Sequence, residues 1–451
     1  MCRTNAAPDA RFEEYVSESL TRALAPDRSA LYNAGSSNVT GFHRLDGTLA
    51  CDGVPLPVIA ASVGTPLYIY SAATIASRYH AVDAAFAAHP HAIHYALKAN
   101  STLAIARLLR GLGSNADANS GGEIEVALRA GFTPPQIVFT GVGKTITELE
   151  QAIALGVSTI NAESDGELDR IDAIGRARGT RVRVALRVNP DIDARSHQHI
   201  STGLKTTKFG IALDEVRSIA RKAAAHSGLE LVGLHSHVGS QITDLTPLTR
   251  AAEALVRLSR ELQDDGITIE HLDLGGGLGI SYDGTPAPTA SDYAAALLPA
   301  VKDSGLSIIL EPGRSIVGPA AVLVSSVVDV KERPGGMLFV ILDAGMTELI
   351  RPMLYNAFHR IEPVVASGQP DVVADVVGPL CETSDTLGRD RRFPRPTAGD
   401  LFAVLDAGAY GAVMASNYNR RTMPPEVMVE DGRHTVIRRR QTIDDLIALE
   451  A

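Results

Sequence analysis

The chain contains little cysteine and no long apolar segment. Its 451 residues include three cysteines, Cys2, Cys51 and Cys381, and no two of them share the spacing of a metal site. Sparse, widely separated cysteines are typical of free thiols in a reducing compartment. No apolar run approaches the ~20 residues needed to span a bilayer, and residues 1–38 have no apolar signal-peptide core. We therefore expect a cytoplasmic protein that does not enter a membrane.

A basic surface is also missing. The formal net charge is -10, and the acidic residues are spread along the chain rather than gathered in a tail. This distribution favours solubility and argues against nucleic-acid binding, which requires a basic face. Hydrophobic residues make up 45% and charged residues 21%, which is typical of a soluble globular protein with a sizeable core. The length favours an enzyme or binding protein of two domains.

The middle of the chain alternates between short apolar segments and amphipathic helical patterns. The predicted strands are Ile93–Leu97, Ser114–Ala116, Ile137–Thr140, Ser158–Asn161, Arg183–Val188, Leu231–His235, His271–Leu274 and Ser307–Leu310. Helical patterns between them include Leu103–Leu112, Gly122–Ala130, Thr147–Ala154, Glu167–Ala177 and Ala251–Gln263. Eight strands each followed by a helix are what a parallel (β/α)8 barrel requires, although a doubly wound sheet gives a similar alternation. We predict an α/β protein with a TIM-type barrel over residues 71–316.

A different pattern flanks the predicted barrel on both sides. Before it we expect strands at Val39–His43, Pro57–Ala61 and Leu67–Tyr70, and after it at Val322–Val330, Met337–Leu342, Asp371–Val377, Leu401–Val404 and within Glu426–Arg438. Residues 39–70 and 317–451 are therefore predicted to form one discontinuous β-domain around the inserted barrel. Residues 1–38 lack clear periodicity and are expected to be a loosely attached N-terminal extension.

Polar residues and glycines follow four of the predicted barrel strands, at the edge where barrel enzymes perform chemistry. They are Lys98 after the first strand, His237, Gly239 and Ser240 after the sixth, Gly275, Gly276 and Gly277 after the seventh, and Glu311, Gly313 and Arg314 after the eighth. A partly desolvated lysine has a depressed pKa and can attack a carbonyl group. A lysine that only caps a strand in solvent would have no such role, and the position of Lys98 by itself leaves both interpretations open.

Taken together, these strand ends have the groups that pyridoxal phosphate requires. The cofactor needs an amine for its aldehyde, a grip on its phosphate and a group that tunes its ring nitrogen. Backbone amides of a glycine loop can approach a phosphate closely, and a buried carboxylate such as Glu311 is favourable beside a protonated ring nitrogen. The combination is much more specific than any one of its members.

Other sites are less compatible with the sequence. His235 and His237 have no third ligand at a matching spacing, so we expect no metal. A dinucleotide-binding fingerprint in the glycine loop would need glycine where Ile280 stands. A phosphate loop ending in Lys144 would need glycine where Val138 stands, which excludes a nucleotide-hydrolysing enzyme of that type.

These residues resemble those of the fold-type III pyridoxal-phosphate enzymes, the alanine-racemase-like barrel family, and within it those of the diaminopimelate decarboxylases. The likeness runs from about Gly41 to the C-terminus. Its most specific segments are His94–Asn100, Ser120–Glu123, Gly141–Thr145, Ser201–Ile211, His235–Gln241, Leu272–Ile280, Glu311–Ser315, Asp343–Tyr355, Val377–Asp385, Gly408–Gly411 and Asn417–Arg421. The resemblance implies pyridoxal 5'-phosphate as cofactor, a small amino-acid substrate and a homodimer with shared active sites.

The resemblance also implies residue roles. Lys98 would bind the cofactor covalently, and Cys381 would be the proton donor. Cofactor contacts are implied for Lys98, Asp117, Arg187, His237, Gly239, Ser240, Gly275, Gly276, Gly277, Glu311, Gly313, Arg314 and Tyr410. Substrate contacts are implied for Arg314, Arg351, Tyr355, Glu382 and Tyr410. In such a dimer, Cys381 and Glu382 would reach the lysine of the other subunit.

The implied reaction is the decarboxylation of meso-2,6-diaminopimelate to L-lysine and carbon dioxide, the last step of lysine biosynthesis. Arg351 and Arg314 suit the distal carboxylate of that substrate, and Glu382 suits its ammonium. The alternative is a decarboxylase of ornithine, arginine or carboxynorspermidine, whose distal amine would need an acidic clamp. An amino-acid racemase conflicts with the long C-terminal match, and a non-catalytic relative conflicts with the presence of both Lys98 and Cys381.

Overall fold

The computed structural model describes residues 41–193, 202–204 and 206–450. Residues 1–38, the start of the strand predicted at Val39–His43 and part of the segment Ser201–Ile211 lie outside the described residues. The first elements form a small antiparallel sheet followed by a helix and a longer strand: β1 (Phe42–Leu45), β2 (Thr48–Cys51), β3 (Val54–Pro55), α1 (Leu56–Val63) and β4 (Leu67–Ser71).

The strand predicted at Pro57–Ala61 is wrong, because this segment lies in helix α1. Proline is well tolerated in a first helical turn, where its missing N–H has no partner to lose. Leu56, Ile59 and Ala60 are buried, and their spacing of three and four residues places them on one face of the helix. The five residues of the predicted segment were too few to distinguish a helical pattern from a strand.

Eight parallel strands close into a barrel, which confirms the predicted fold. They are β5 (His91–Ala96), β6 (Asn115–Ala118), β7 (Ile137–Phe139), β8 (Thr159–Ala162), β9 (Val182–Asn189), β11 (Leu229–His235), β12 (His271–Asp273) and β13 (Ser307–Leu310). Among the described strands, the two-residue β10 (Ile211–Ala212) pairs only with β9. The barrel closes where β13 pairs in parallel with β5.

Helices connect the barrel strands on the outside. They are α2 (Ala72–Phe86), α3 (Leu103–Gly111), α4 (Gly121–Ala130), α5 (Ile146–Leu155), α6 (Asp165–Arg178), α7 (Leu213–Ala225), α8 (Thr246–Asp264) and α9 (Ala290–Val301). Their starts follow capping chemistry: Ser120 accepts from the Glu123 amide at α4, and Thr145 forms a reciprocal capping box with Glu148 at α5. None of the described helices is long and apolar enough to cross a membrane.

A second sheet is built from both sides of the barrel sequence. Its later elements are α10 (Arg314–Val317), β14 (Ala321–Glu332), β15 (Leu338–Leu342), α11 (Arg351–Tyr355), β16 (Ile361–Pro363), β17 (Asp371–Val377), β18 (Thr386–Pro394), β19 (Leu401–Val404), β20 (Glu426–Glu430), β21 (Arg433–Arg438) and α12 (Ile443–Ile447). The strand order is β18-β17-β15-β14-β4-β20-β21, and β16 and β19 extend from β14. Strand β4 therefore lies between β14 and β20, which come 250 residues or more after it in the chain.

Buried hydrogen bonds join this sheet to the barrel mouth. Tyr70 in β4 accepts a hydrogen bond from Asn100 Nδ2 at 3.1 Å, two residues after Lys98. Asn100 Nδ2 also donates to the Gly408 carbonyl at 3.0 Å, and Tyr410 N donates to the Ala99 carbonyl at 2.8 Å. The turn that carries Lys98 is thus attached to the β-sheet as well as to β5.

Candidate active site

Lys98 and Asp117 form an ion pair at the mouth of the barrel. Lys98 lies in the turn directly after β5, and Asp117 lies in the adjacent strand β6. The Lys98 ammonium donates to Asp117 Oδ2 at 2.8 Å, and the Asp117 side chain is fully buried. Burial opposes the charge of Lys98, but Asp117 and Glu311 outweigh it and raise the pKa of the amine. The sequence left open whether Lys98 has the depressed pKa of a partly desolvated amine, and in the structure two carboxylates face it and oppose that shift.

The imidazole of His237 is neutral. His237 follows β11, and its Nδ1 accepts a hydrogen bond from the Gly276 amide at 3.2 Å, so this nitrogen carries no proton. Burial and the charge of Lys98 lower the pKa of His237 well below its usual value. A flat, uncharged ring beside the lysine suits stacking against an aromatic cofactor.

The glycine loop after β12 packs too closely against its neighbours for any side chain. A Cβ on Gly276 would lie 2.2 Å from the Glu311 carbonyl oxygen, and one on Gly277 would lie 2.6 Å from the Gly239 carbonyl oxygen. Gly277 also has a φ of 108°, which non-glycine residues rarely adopt. The amides of Gly275 and Gly276 donate within the protein, to Asp273 and His237, so these two glycines shape the loop.

The predicted contacts Gly313 and Ser240 lie against this loop region and the lysine turn. A Cβ on Gly313 would lie 2.7 Å from the Ala99 Cβ, which explains a glycine at the start of α10. Ser240 Oγ accepts a hydrogen bond from Arg314 Nη2 at 2.9 Å. A hydroxyl and a guanidinium therefore converge beside the glycine loop, as an anion such as a phosphate requires.

Arg314 and Arg351 are buried cations arranged around Tyr282. Arg314 Nη1 donates to the Tyr282 hydroxyl at 2.7 Å, and the Arg351 guanidinium carbon lies 4.6 Å from the centre of the same ring. Arg314 also lies 4.7 Å from the ring centre of Tyr410. The two arginines are only 6% and 5% exposed, yet within the described ranges neither forms an ion pair with a carboxylate. Buried guanidinium groups without an anionic partner indicate a site for anions of a ligand.

Glu311 is a buried carboxylate whose two oxygens lack hydrogen-bond donors in the described chain. It follows β13 and is 2% exposed, and His235 Nε2 lies 3.5 Å from its Oε2. Burial opposes its ionisation, but His235 and Lys98 lower the pKa of Glu311 well below the usual range. An unsatisfied anionic acceptor near the lysine fits the protonated ring nitrogen of pyridoxal phosphate. One side-chain nitrogen or oxygen atom each of His235, Asp273 and Glu311 lies within 4.8 Å of the others.

Arg187 and Tyr355 are placed near these groups by different elements. Arg187, in β9, forms a buried ion pair with Glu163, and its guanidinium carbon lies 4.8 Å from the ring centre of Phe209. Its charge is one of those that lower the pKa of His237. Tyr355 is half-buried at the end of α11 and interacts electrostatically with Arg314.

Cys381 and Glu382 have hydrogen-bond partners outside this cluster. Both are exposed, in the loop between β17 and β18. Asn419 Nδ2 donates to Cys381 Sγ at 3.3 Å, and Ser384 donates to Glu382 at 3.0 Å. No hydrogen bond or ion pair of the described residues joins either side chain to Lys98.

Several residues of the site were not predicted from the sequence. Tyr282 links the two arginines, His359 Nε2 lies 2.6 Å from Arg351 Nη1, and Asn100 anchors the lysine turn. Asp273 and His235 lie beside Glu311. Asp273 and His235 stood in the strand-end motifs and could have been chosen for their position. Tyr282 and His359 lie in loops, where no periodicity indicates which way a side chain points.

The cofactor fits the residues that converge at this end of the barrel. Lys98 offers an amine, His237 a neutral ring, Glu311 a carboxylate whose oxygens lack hydrogen-bond donors in the described chain, and Ser240 with Arg314 an anion site beside the glycine loop. These are the groups that pyridoxal phosphate needs for its aldehyde, ring face, ring nitrogen and phosphate.

Comparisons with known proteins agree with this geometry. The family described as "Pyridoxal-dependent decarboxylase, pyridoxal binding domain" matches residues 72–318. The diaminopimelate decarboxylase of Neisseria meningitidis serogroup A is 44% identical over 403 residues, which cover 89% of this chain and 99% of that protein. That of Aquifex aeolicus is 44% identical over 406 residues, covering 89% of this chain and 95% of that protein.

Solved structures show the same relationship. The Helicobacter pylori diaminopimelate decarboxylase complexed with L-lysine is 41% identical, with a TM-score of 0.84 over 87% of this chain and 98% of that chain. The enzyme from M. jannaschii, also in complex with L-lysine, is 37% identical, with a TM-score of 0.87 over 92% of this chain and 99% of that chain. At this identity and coverage, the chain belongs to the diaminopimelate decarboxylase family of pyridoxal-dependent decarboxylases.

Proposed function

We propose that this protein decarboxylates meso-2,6-diaminopimelate to L-lysine and carbon dioxide, with pyridoxal 5'-phosphate as cofactor. The observation that carries the substrate assignment is the pair of buried arginines, Arg314 and Arg351, without a carboxylate partner in the described chain. A guanidinium fork can bind a carboxylate through two parallel hydrogen bonds. Diaminopimelate has a distal carboxylate, whereas ornithine and arginine do not.

The residues of the barrel mouth would hold the cofactor. Lys98 would bind its aldehyde, His237 would lie against its ring, and Glu311 would accept from its ring nitrogen. Ser240 and Arg314 would bind the phosphate beside the glycine loop, and Asp117 would hold the Lys98 amine in place. When bound, pyridoxal phosphate supplies an electron sink for the bonding electrons that remain when the α-carboxylate leaves.

Other residues of the chain would bind the substrate and protonate its α-carbon. Arg351, next to the ring of Tyr282, would hold the distal carboxylate, with Tyr355 and Tyr410 at the edges of the site. The Cys381 thiol would deliver a proton to the α-carbon, and Glu382 would bind the distal ammonium. Arg187 would support the cofactor from β9 through its pairing with Glu163.

We also propose that the active enzyme is a homodimer with two shared sites. The support is that Cys381 and Glu382 are exposed and make their hydrogen bonds away from Lys98 in the single chain. A second subunit would supply this pair to each barrel. A cytoplasmic location is consistent with the free thiols of Cys51 and Cys381.

The test is carbon dioxide release from meso-diaminopimelate by purified protein with added pyridoxal phosphate, with ornithine, arginine and lysine in parallel. We expect release from diaminopimelate alone, and none from Lys98→Ala. Lys302→Ala, which changes an exposed lysine after α9, is the matched control and should retain full activity. Release only from another amino acid would overturn the substrate assignment, and no release from any would overturn the enzyme assignment.

A further inference from the structure

Three buried ionisable side chains, one of which is Glu311, lie close together at the mouth of the barrel. His235, Asp273 and Glu311 end or follow the neighbouring strands β11, β12 and β13, and one ligating atom of each lies within 4.8 Å of the others. The exposures of His235 and Asp273 are 0%, and that of Glu311 is 2%. The mechanism proposed above uses Glu311 and leaves the other two without a role.

Two carboxylates at this separation in a buried site cannot both be anionic without a strong compensating charge. Their mutual repulsion is large where water is excluded, so such a pair shares one proton. The Asp273 Oδ1 already accepts from the Gly275 amide at 2.9 Å, whereas Asp273 Oδ2 has no partner in the described chain. Both oxygens of Glu311 lack a donor as well. One O–H between the two groups would satisfy an oxygen on each side.

The surrounding charges decide which carboxylate keeps the proton. Glu311 faces His235 at 3.5 Å and is stabilised as an anion by Lys98. Burial and the negative charge of Glu311 raise the pKa of Asp273 well above its usual value. Asp117 acts on Asp273 in the same direction.

We propose that Asp273 is a positioning residue: it is a neutral carboxylic acid, and its Oδ2–H donates a hydrogen bond to the Glu311 carboxylate. This bond fixes the Glu311 side chain and leaves its other oxygen free for the ring nitrogen of the cofactor. It also keeps Glu311 anionic, because a second charge at Asp273 would drive protonation of Glu311. The consequence for the cofactor rests on the proposed function, whereas the proton on Asp273 does not.

The first test is an infrared difference spectrum of the holoenzyme, wild type minus Asp273→Asn. Asparagine keeps the shape, the acceptor for Gly275 and a donor toward Glu311. We expect the wild type to show the carbonyl stretch of a protonated carboxyl group that the variant lacks. Asp172→Asn is the matched control, since Asp172 is a buried aspartate paired with Arg176 at 2.9 Å and should give no such band. Absence of the band in the Asp273 difference spectrum would overturn the proposal.

The second test separates positioning from general structure by titrating the apoenzyme with pyridoxal phosphate. Asp273→Leu removes the donor, and we expect it to weaken cofactor binding by about tenfold or more, as for loss of a hydrogen bond to a charged group. Asp273→Asn should restore most of this affinity. Equal losses in the two variants would contradict the proposal, as would a stoichiometric metal ion in the purified wild type that Asp273→Asn loses.

Tyr293→Phe tests whether the Tyr293 hydroxyl, rather than Asp273, donates to Glu311. The Tyr293 hydroxyl is buried without a partner in the described chain, and the charges of Asp273 and Glu311 act on it. We expect Tyr293→Phe to bind the cofactor as the wild type does, and a loss like that of Asp273→Leu would transfer the donor role to Tyr293. If the holoenzyme released no carbon dioxide but the infrared band behaved as expected, the proposed function would fail while the proton on Asp273 would stand.

Discussion

At the residue scale, the partners of a side chain determine its role more than its type does. Lys98 and Lys144 are both lysines near the ends of barrel strands. Lys98 donates one hydrogen bond, to Asp117, and its side chain is partly exposed, whereas the Lys144 ammonium donates to Glu167 and two backbone carbonyls. Only Lys98 has donors to spare for a ligand. The sequence shows two lysines after apolar segments, and only the fold distinguishes them.

Arg351 is the residue that most directly tests substrate recognition. We expect Arg351→Ala to raise KM for diaminopimelate by about tenfold or more, with a smaller effect on kcat, because a bidentate charged contact is lost. The matched control is Arg389→Ala, an exposed arginine in β18 paired loosely with Asp375, which should leave both constants unchanged. Steady-state kinetics measure the outcome. An unchanged KM in Arg351→Ala would contradict the assignment of the distal carboxylate to this arginine.

Glu123 provides a prediction for the pH dependence of stability. Burial raises its pKa to about 7, from an ordinary value of 4.5. The folded protein therefore binds this proton more tightly than the unfolded chain. The contribution of this proton to the free energy of unfolding is complete below the ordinary pKa and is lost as the pH rises through 7. Glu123→Gln stays neutral and keeps an acceptor for the Asn119 amide.

Urea denaturation between about pH 5 and pH 8 measures this difference. The free energy of unfolding of Glu123→Gln should increase relative to that of the wild type as the pH rises. Glu125→Gln, on the exposed side of the same helix, is the control and should show no such trend. A constant difference for Glu123→Gln would contradict the expected protonation.

At the scale of elements, the side chains of the site lie at the ends of parallel strands, and the segments before the helices have a structural role. Strands β5, β6, β11 and β13 each contribute at least one ionisable group at the same end of the barrel, because parallel strands share a direction. The motif Gly141–Thr145, which is similar to a phosphate loop, precedes α5, and its Thr145 caps that helix. Lys144 pairs with Glu167 in α6.

The Lys144–Glu167 pair is predicted to stabilise the contact between α5 and α6. Both side chains are almost fully buried, and Lys144 Nζ lies 2.9 Å from Glu167 Oε1. Lys144→Met leaves a buried carboxylate without its cation and should lower the free energy of unfolding by about 3–5 kcal/mol. The double variant Lys144→Met, Glu167→Gln removes that charge and should recover part of the loss.

Chemical denaturation measures both variants. Arg129→Ala is the control, because it breaks an exposed pair with Glu125 and should change stability little. A single variant as stable as the wild type would show that the buried pair contributes nothing. Failure of the double variant to recover any stability would point to packing of the lysine stem instead.

At the scale of the whole molecule, the barrel is inserted into a sheet that needs both parts of the chain around it. Strand β4 pairs antiparallel with β14 and parallel with β20, and this sheet positions Tyr410 against the lysine turn. The same sheet carries Cys381 and Glu382 on an exposed loop. In the homodimer proposed above, a second subunit would supply these groups to the barrel.

Complementation between inactive variants tests the shared site. Lys98→Ala and Cys381→Ala should each be inactive as homodimers. After mixing with subunit exchange, half of the dimers would be mixed, each with one intact site, so about a quarter of wild-type activity should return. Lys98→Ala mixed with Glu382→Ala should behave in the same way. No recovery from a mixture shown to contain mixed dimers would contradict a site shared between subunits.

The sequence by itself determined the fold class, the strand ends that bear chemistry and the family. The alternation of apolar strands and helices is a local pattern, so it can be recognised in the sequence. It predicted all eight barrel strands to within a few residues. Glycine runs such as Gly275 to Gly277 are visible because no other residue tolerates that backbone approach. Local patterns are ambiguous in short segments, and for this reason a strand was wrongly predicted where α1 lies.

Only the tertiary structure decided how charges face each other. The raised pKa of Lys98, the neutral ring of His237, the unpaired arginines around Tyr282 and the meeting of Asp273 with Glu311 all depend on contacts between distant elements. Electrostatic energies depend on separation and burial, and neither quantity is local in sequence. The sequence can therefore predict at which strand end a titratable residue lies, but it cannot predict the protonation state or the partner of that residue.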